Sequence, residues 1–487
     1  MRRNCTIGVL GLLTVAFSAA NAQPRASDGE LRRRAMFGAQ LAEVTSDVRA
    51  RQKIADTGGV ALVQIFPGTS AADAQFKAGD VMLAVDGTRL TGIPMFLDRM
   101  SKARAGDALN IAFVRDGVRL EQRATMKEMP REKGEGYDVV YGSVTSNGAR
   151  LRTIVTRPST AGRHPAVLLL QGGHTCFAID TPVGQPAAFT WIASDLTRHG
   201  YVTMRVERPG CGDSEGGPLR DVGFDRELGG YKQALHALAR FDFVDTGNVF
   251  LFGHSMGGMF APLIALELPV RGIAVYGSGA GTWFEAVFEQ RRRLASLDGT
   301  KPNEIDREIT DQARFWSALL IERKTPSEIL ARNPELRRLG WVVDDKYVGD
   351  RHYTFHYEVA DKNFTDAWTK VAAARLPTSA AANPVSPRVL TMWGASDWLV
   401  DRASSAWIAE VINRTTPGMG RFVVLDSIDH NFFRTASTEE SYRIFAPPAA
   451  GAAAPARLFN PIILETLRAW LNEMPAMPER VRDSSGP

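Results

Sequence analysis

The chain has 487 residues, of which 44% are hydrophobic and 23% charged, a globular balance that excludes a mainly disordered, collagenous or coiled-coil chain. Its 58 basic residues face 54 acidic ones, for a net charge of +4 with no long one-sided block, so a nucleic-acid partner held by a basic stripe is not expected. The densest basic runs, Arg32-Arg33-Arg34 and Arg291-Arg292-Arg293, are expected on solvated helix faces.

Arg2 and Arg3 precede an apolar run from Ile7 to Ala19, and Ala20-Asn21-Ala22 supplies a small-x-small cleavage pattern. This predicts a signal peptide over residues 1–22 and an exported mature chain, periplasmic or secreted. The run is short for a transmembrane helix and no later stretch is long enough, so no stable membrane insertion of the mature chain is expected. Cys5 leaves with the signal. Cys176 and Cys211 remain, each after a predicted strand, in a compartment where disulfides persist, and they form the candidate bridge. No His cluster accompanies either one, so metal binding is not expected.

Residues 31–129 read as a small β-rich module. Gly59 to Phe66 is a strand stopped by Pro67-Gly68. Ala71 to Phe76 is a short helical piece. Val81 to Val85 is a strand closed by Asp86-Gly87, a hairpin-turn dipeptide. Pro94 to Ser101 is helical, and Asp107 to Val114 and Val118 to Met126 are strands joined at Asp116-Gly117. Pro67-Gly68-x-Ser70-Ala71-Ala72, followed by Ala78-Gly79-Asp80-Val81-Met82-Leu83-Ala84-Val85-Asp86-Gly87, resembles the bacterial PDZ domains attached to periplasmic proteases. The resemblance implies a loop whose backbone N–H groups cradle a peptide's terminal carboxylate while the peptide adds as a strand to the sheet edge. Met36-Phe37-Gly38-Ala39 is the stretch most similar to that loop. The alternative is a PDZ-shaped module that only packs against its neighbour. Residues 130–136, charged and containing Pro130 and Gly134, read as a linker.

Residues 137–475 follow a different pattern. Val139 to Val144 and Leu151 to Arg157 flank a hairpin signal at Ser146-Asn147-Gly148. Ala166 to Leu170 is a continuous apolar run, as a buried parallel strand requires. Helices at Ala188 to Arg198 and Gly223 to Phe241 alternate with strands at Tyr201 to Val206, Val249 to Phe252, Ile273 to Tyr276, Arg388 to Trp393 and Phe422 to Leu425. Such alternation predicts an α/β, doubly wound, mostly parallel sheet.

Gly253-His254-Ser255-Met256-Gly257 lies between a predicted strand and a predicted helix, the setting of a nucleophile elbow. The turn is tight enough to need small residues two positions either side of Ser255. The base should follow the acid, and the acid should follow the strand Arg388 to Trp393. Of eight histidines only His430 satisfies that order. Asp397, in Gly394-Ala395-Ser396-Asp397, is the candidate acid, with Asp401 as runner-up. The oxyanion hole needs two donors: the Met256 N–H and one from Gln171-Gly172-Gly173-His174, for which Gly173 is preferred and His174 is the alternative. Gly210-Cys211-Gly212-Asp213-Ser214 looks like a structural turn of the same fold, and Ser214 receives no catalytic role.

Together these residues resemble the α/β-hydrolase superfamily over nearly all of residues 137–475. Gln171-Gly172-Gly173 with Cys176, and Arg205 to Gly210, are similar to exported bacterial hydrolases related to serine aminopeptidases and prolyl oligopeptidase-like enzymes. A serine at the elbow disfavours the dehalogenase and epoxide hydrolase branches, which use aspartate there. Residues 283–375 are expected to form a helical cap that selects the substrate. Its aromatics Trp316, Trp341, Tyr347, Tyr353, Phe355 and Tyr357 either line a pocket or form the cap's own core. The expected activity is acyl-enzyme hydrolysis of an ester or a peptide/amide bond, with the PDZ-like module recruiting a C-terminal peptide. The alternative is a peptide-binding protein that uses the hydrolase fold as a scaffold. No cofactor is implied, since neither a phosphate-binding glycine loop nor clustered metal ligands occur in the sequence.

Overall fold

The computed structural model describes residues 27–55, 57–173, 176, 179–180, 187–340, 342, 345–376, 386–445 and 457–474. The expected signal peptide, residues 1–22 with Cys5, lies outside the described residues.

The N-terminal module is built on a sheet ordered β2-β3-β4-β6-β7, from β2 (Ala39–Glu43), β3 (Val60–Ile65), β4 (Val81–Val85), β6 (Ala108–Arg115) and β7 (Val118–Thr125). β5 (Thr88–Arg89) pairs with β4, while β1 (Ala35–Met36) pairs with β8 (Lys127–Glu128) and closes the module's two ends together. Its helices are α1 (Ser46–Arg51), α2 (Ser70–Asp73) and α3 (Ile93–Lys102). Phe37, Phe76, Phe96 and Phe113 form the aromatic centre of its core. This is a PDZ domain.

The second part is an α/β-hydrolase fold. Eight strands form one sheet in the order β9-β10-β12-β11-β13-β14-β17-β18: β9 (Tyr137–Ser146), β10 (Ala149–Pro158), β11 (His164–Leu170), β12 (Val202–Val206), β13 (Val244–His254), β14 (Gly272–Tyr276), β17 (Arg388–Gly394) and β18 (Gly420–Leu425). β10 pairs antiparallel with β9 and with β12, and every other pairing in the sheet is parallel. Successive side chains of β11 go to opposite faces. Leu168 and Leu170 join a core with Phe224 and Tyr231 of α5 (Phe224–Leu238) and Phe260 of α6 (Met256–Ala265). Val167 and Leu169 join the other core, with Ile192 of α4 (Ala188–Arg198) and Trp470 of α14 (Ile462–Asn472). Burial on both faces is why these strands read as continuous apolar runs.

Between β14 and β17 the chain leaves the sheet. It forms α7 (Trp283–Leu297), α8 (Pro302–Trp316), α9 (Pro326–Arg332), the hairpin β15 (Tyr347–Val348) and β16 (Arg351–His352), α10 (Tyr353–Ala360) and α11 (Phe364–Ala373). Capping boxes at Thr282/Glu285 and Thr325/Glu328 start α7 and α9. α12 (Arg402–Thr415) and α13 (Thr438–Phe445) complete the helices.

One expectation is overturned. Arg32-Arg33-Arg34 does not lie on a solvated helix face. The run is extended, and Arg33 is buried against the hydrolase part. Its Nη1 lies 2.5 Å from Asp213 and its Nη2 3.4 Å from Asp180. Two buried carboxylates facing this strip attract the guanidinium more strongly than water holds it. Glu132, in the expected linker, likewise meets buried Arg205 at 2.8 Å. Arg291-Arg292-Arg293 does lie on a helix, α7, where Arg291 and Arg292 pair with Glu308 and Asp306 of α8.

Candidate active site

β13 runs straight into Ser255, which opens α6. Ser255 sits at φ 54°, ψ −122°, a backbone region that non-glycine residues occupy only under constraint. The constraint is visible in the neighbours. A Cβ on Gly253 would stand 2.6 Å from the Gly257 carbonyl oxygen, and one on Gly257 would stand 2.1 Å from the Leu170 carbonyl oxygen. The Ser255 N–H donates to the Tyr276 carbonyl at 2.9 Å, fixing the elbow to β14.

His430 and Asp397 are joined. The Nδ1 of His430 lies 2.9 Å from Asp397 Oδ2, and the two residues are 3% and 1% exposed. The other carboxylate oxygen, Oδ1, accepts the N–H groups of Leu399 at 2.8 Å and Val400 at 2.9 Å. A carboxylate only accepts, so Nδ1 carries the proton, and in the neutral ring the lone pair is on Nε2. Asp401 does something else. It caps α12, accepting the Ala403 N–H at 2.7 Å, and pairs with Arg293.

The sheet brings these groups together from three strand ends: Ser255 after β13, Asp397 after β17 and His430 after β18. Gly277 borders the pair closely, since a Cβ there would be 3.0 Å from His430 Nδ1 and 3.1 Å from Asp397 Oδ2. Gly277 and Ser255 line the same pocket.

Met256 and Gly173 line that pocket as well. Gly172 presses against the elbow, where a Cβ would be 2.4 Å from the Ser255 Cβ. The loop after β11 is held on several sides. The Gln171 N–H donates to the Tyr231 hydroxyl at 3.2 Å, and burial pushes the Tyr231 pKa up, so the phenol stays protonated. Cys176 is disulfide-bonded to Cys211, with Cα atoms 5.5 Å apart. His174 lies outside the described residues. The Ser214 hydroxyl ties its turn to the sheet, accepting the Arg152 N–H of β10 at 2.8 Å and donating to the Glu207 carbonyl at 3.1 Å.

The pocket's apolar wall comes from Met259, Trp283, Val287 and Leu399, with Glu285, Glu289 and Asp401 adding carboxylates. Of the aromatics expected in the cap, Trp316 and Phe355 are buried in the core that the cap shares with α5, α6 and the sheet. Tyr347, Tyr353 and Tyr357 are half-buried, and Trp341 lies outside the described residues. Trp283, at the first position of α7, is the aromatic that reaches the pocket. Asp429 was missed in the sequence. It accepts the N–H groups of Asn431 at 2.9 Å and Phe433 at 2.8 Å and so shapes the turn that carries His430. Its position one residue before His430 was the only signal.

In the N-terminal module, the Met36 carbonyl accepts the Ser70 hydroxyl at 2.5 Å and the Phe37 carbonyl accepts the Ala71 N–H at 2.8 Å. The Phe37 ring is buried against Phe76 and Phe96. Gly38 has φ 83°, and a Cβ there would overlap Thr69 at 2.2 Å, so this position requires glycine. Ala39 begins β2, the edge strand of the sheet, with α3 alongside.

A family model described as "Serine aminopeptidase, S33" matches residues 187–434, and one described as "PDZ domain" matches residues 35–125. Among curated proteins, the periplasmic serine endoprotease DegP of Escherichia coli K12 is 22% identical over 144 residues, 29% of this chain. The chain spans 30% of the length of that relative. Among solved structures, Est1E from Butyrivibrio proteoclasticus with ferulic acid bound is 15% identical, with a TM-score of 0.38 over 62% of this chain and 96% of that one. Carboxyl esterase 2 of the mycorrhizal fungus Tuber melanosporum is 12% identical, with a TM-score of 0.39 over 70% of this chain and 88% of that one. No helix among the described residues is long and apolar enough to cross a membrane.

Proposed function

The chain belongs to the serine aminopeptidase S33 family of α/β-hydrolases, and on that premise we propose that it hydrolyses an ester or peptide/amide bond through an acyl-enzyme formed on Ser255. The observation that carries this reading is the strained Ser255 turn, which lines a pocket with Gly277, while Gly277 in turn borders the bonded His430–Asp397 pair. Nε2 of His430 takes the Ser255 hydroxyl proton as Oγ adds to the substrate carbonyl carbon. Asp397 holds the imidazole's orientation and balances the imidazolium. The carbonyl oxygen becomes an oxyanion, stabilised by the N–H groups of Met256 and Gly173. Collapse expels the alcohol or amine, which leaves with the proton from His430. Water then attacks the acyl carbon by the same route in reverse and frees the acid.

A screen of chromogenic acyl esters beside aminoacyl and prolyl anilides tests the bond class, with Ser255→Ala as the control. Full activity in Ser255→Ala would refute the mechanism.

The PDZ domain supports a second element. β2 is an edge strand next to α3, and the N–H groups around Phe37 and Gly38 would meet a peptide's C-terminal carboxylate. Titration of the full chain with a diverse set of C-terminal peptides tests recruitment, and no binding across the set would leave the module a packing unit. Export is supported by the pattern in residues 1–22 and by the Cys176–Cys211 bridge, which an oxidising compartment preserves. Fractionation of expressing cells, with N-terminal sequencing of the mature protein, tests it.

A further inference from the structure

The Gly173 backbone is gripped from behind by charge. Arg208 Nη1 donates to the Gly173 carbonyl at 2.6 Å and lies 3.4 Å from Glu227 Oε2. The other oxygen of Glu227 pairs with Nη2 of Arg351, on β16 of the cap. That same nitrogen donates to the Val222 carbonyl at 2.6 Å, and the Arg351 guanidinium lies 4.1 Å from the Phe355 ring centroid. The side chains of Arg208, Glu227 and Arg351 are all 0–1% exposed. The result is a buried line from the cap, through α5, to the loop beside Ser255.

This line is a poor way to gain stability. Burying two cations and an anion carries a large desolvation cost, and apolar side chains of similar volume often hold such a site at least as well. What it supplies is direction. Gly173 sits at φ 84°, where glycine has several accessible conformations, and a hydrogen bond to its carbonyl selects one. Gly172, its neighbour, has no room to move toward the elbow.

We propose that Arg208 is a positioning residue for the oxyanion hole, and that Glu227 and Arg351 make its position depend on how the cap is seated. Arg208 touches no reacting atom. It acts through the Gly173 peptide, and a cap that shifts on α5 releases Glu227, then Arg208, then the loop. The inference rests on the reading that Ser255 is the nucleophile and Gly173 an oxyanion donor.

The test uses the full chain and the best ester from the screen, with Arg208→Lys, Glu227→Gln and Arg351→Met. Each variant is expected to lower kcat about 10- to 100-fold while KM moves less than about 3-fold, because a misplaced donor is felt mainly in the transition state. A trifluoromethyl ketone of matching acyl group should lose affinity by about the same factor as kcat, since its adduct places an oxyanion in the same hole. Arg351→Met is the most telling variant, because among the described residues Arg351 reaches Gly173 through Glu227 and Arg208. A purely structural role would lower its melting temperature and leave kcat per folded molecule and ketone affinity unchanged. Should Arg208→Lys not fold, Glu227→Gln and Arg351→Met carry the same readout. If Ser255→Ala is inactive and the folded variants keep wild-type kcat and ketone affinity, the inference falls and the nucleophile assignment stands. If Ser255→Ala is active, the parent reading falls and takes the inference with it.

Discussion

Nε2 of His254 donates to the backbone carbonyl of His430 at 2.8 Å, so the residue before Ser255 holds the main chain of the proposed base. His254 also packs against Phe432, with ring centroids 4.6 Å apart. Desolvation first, and the neighbouring His430 second, push its pKa down to about 3, so it stays neutral and keeps the proton that this bond needs. His254→Leu removes the donor and strands a part-buried carbonyl. The expected cost is about 1–3 kcal/mol of stability. A looser base should lower kcat roughly 10-fold with little change in KM. His254→Gln, which restores a donor, should recover part of kcat. Steady-state kinetics beside urea melts check this, and wild-type kcat in His254→Leu would show that the bond does not position the base.

Asp397 and Asp401 competed for one role, and their surroundings separate them. Asp397 accepts two backbone N–H groups and the imidazole, and it is nearly fully buried. Asp397→Asn keeps the shape but reverses the hydrogen-bond direction, leaving His430 in the wrong tautomer. kcat should fall about 10³- to 10⁴-fold. Asp401→Ala loses a helix cap and should cost about 1 kcal/mol, with kcat within roughly 3-fold of wild type. Kinetics of the two folded variants settle the assignment, and a larger kcat loss in Asp401→Ala would reverse it.

The same pair shows what the sequence could and could not carry. β4 and α4 have the bounds expected of them because their signals are local: a turn dipeptide for one, an amphipathic period for the other. α12 went unread, although Asp401 is its cap and Ile408, Val411 and Ile412 are its buried stripe. A carboxylate just past a strand looks like a catalytic acid until the helix it starts is recognised. Arg33 was misplaced for a different reason. Its carboxylate partners are Asp180 and Asp213, 147 and 180 residues away, and no local pattern announces a pairing made only by folding. The Arg208–Glu227–Arg351 line was invisible on the same ground, whereas the spacing that fixes the elbow lies within five consecutive residues.

The cap contains a histidine that should make it acid-sensitive. His356 is 4% exposed. Its Nδ1 accepts the Trp283 indole N–H at 3.2 Å and its Nε2 donates to the Val348 carbonyl at 3.1 Å, an arrangement only the neutral ring can make. Burial, chiefly, lowers its pKa to about 4. The Val348 bond works against that shift and the charge of Arg351 adds to it. The folded pKa lies below the unfolded one, so the unfolded chain takes up the proton first. The contribution is therefore complete above about pH 6.5 and is lost as pH falls toward about 4, at most about 3 kcal/mol. Urea unfolding from pH 7 to pH 4.5 should give a stability slope shallower in His356→Gln by up to about 1.4 kcal/mol per pH unit in mid-window. Equal slopes would remove His356 from the account.

Arg33 joins the PDZ domain to the hydrolase through a buried cluster. Besides Arg33, Arg152 contacts Asp180 at 2.7 Å, Glu207 at 2.6 Å and Asp213 at 3.5 Å. Burial favours a protonated Asp180, but Arg152 and then Arg33 outweigh it and hold that carboxyl below its usual range. Arg33→Met takes one cation from a set of three carboxylates and leaves Asp213 short of a partner. Breaking a buried pair from one side costs about 3–5 kcal/mol, because the remaining charge stays buried. That loss should fall on the junction, so calorimetry of Arg33→Met should resolve two transitions where the wild type gives one. The charge account makes a second demand. Arg33→Met combined with Asp213→Leu removes both partners, leaving two acids for Arg152, and should recover a large part of the loss. Recovery would identify an uncompensated carboxylate as the cause. No recovery would mean that an uncompensated carboxylate is not the cause, since both variants keep the same long apolar side chain at position 33.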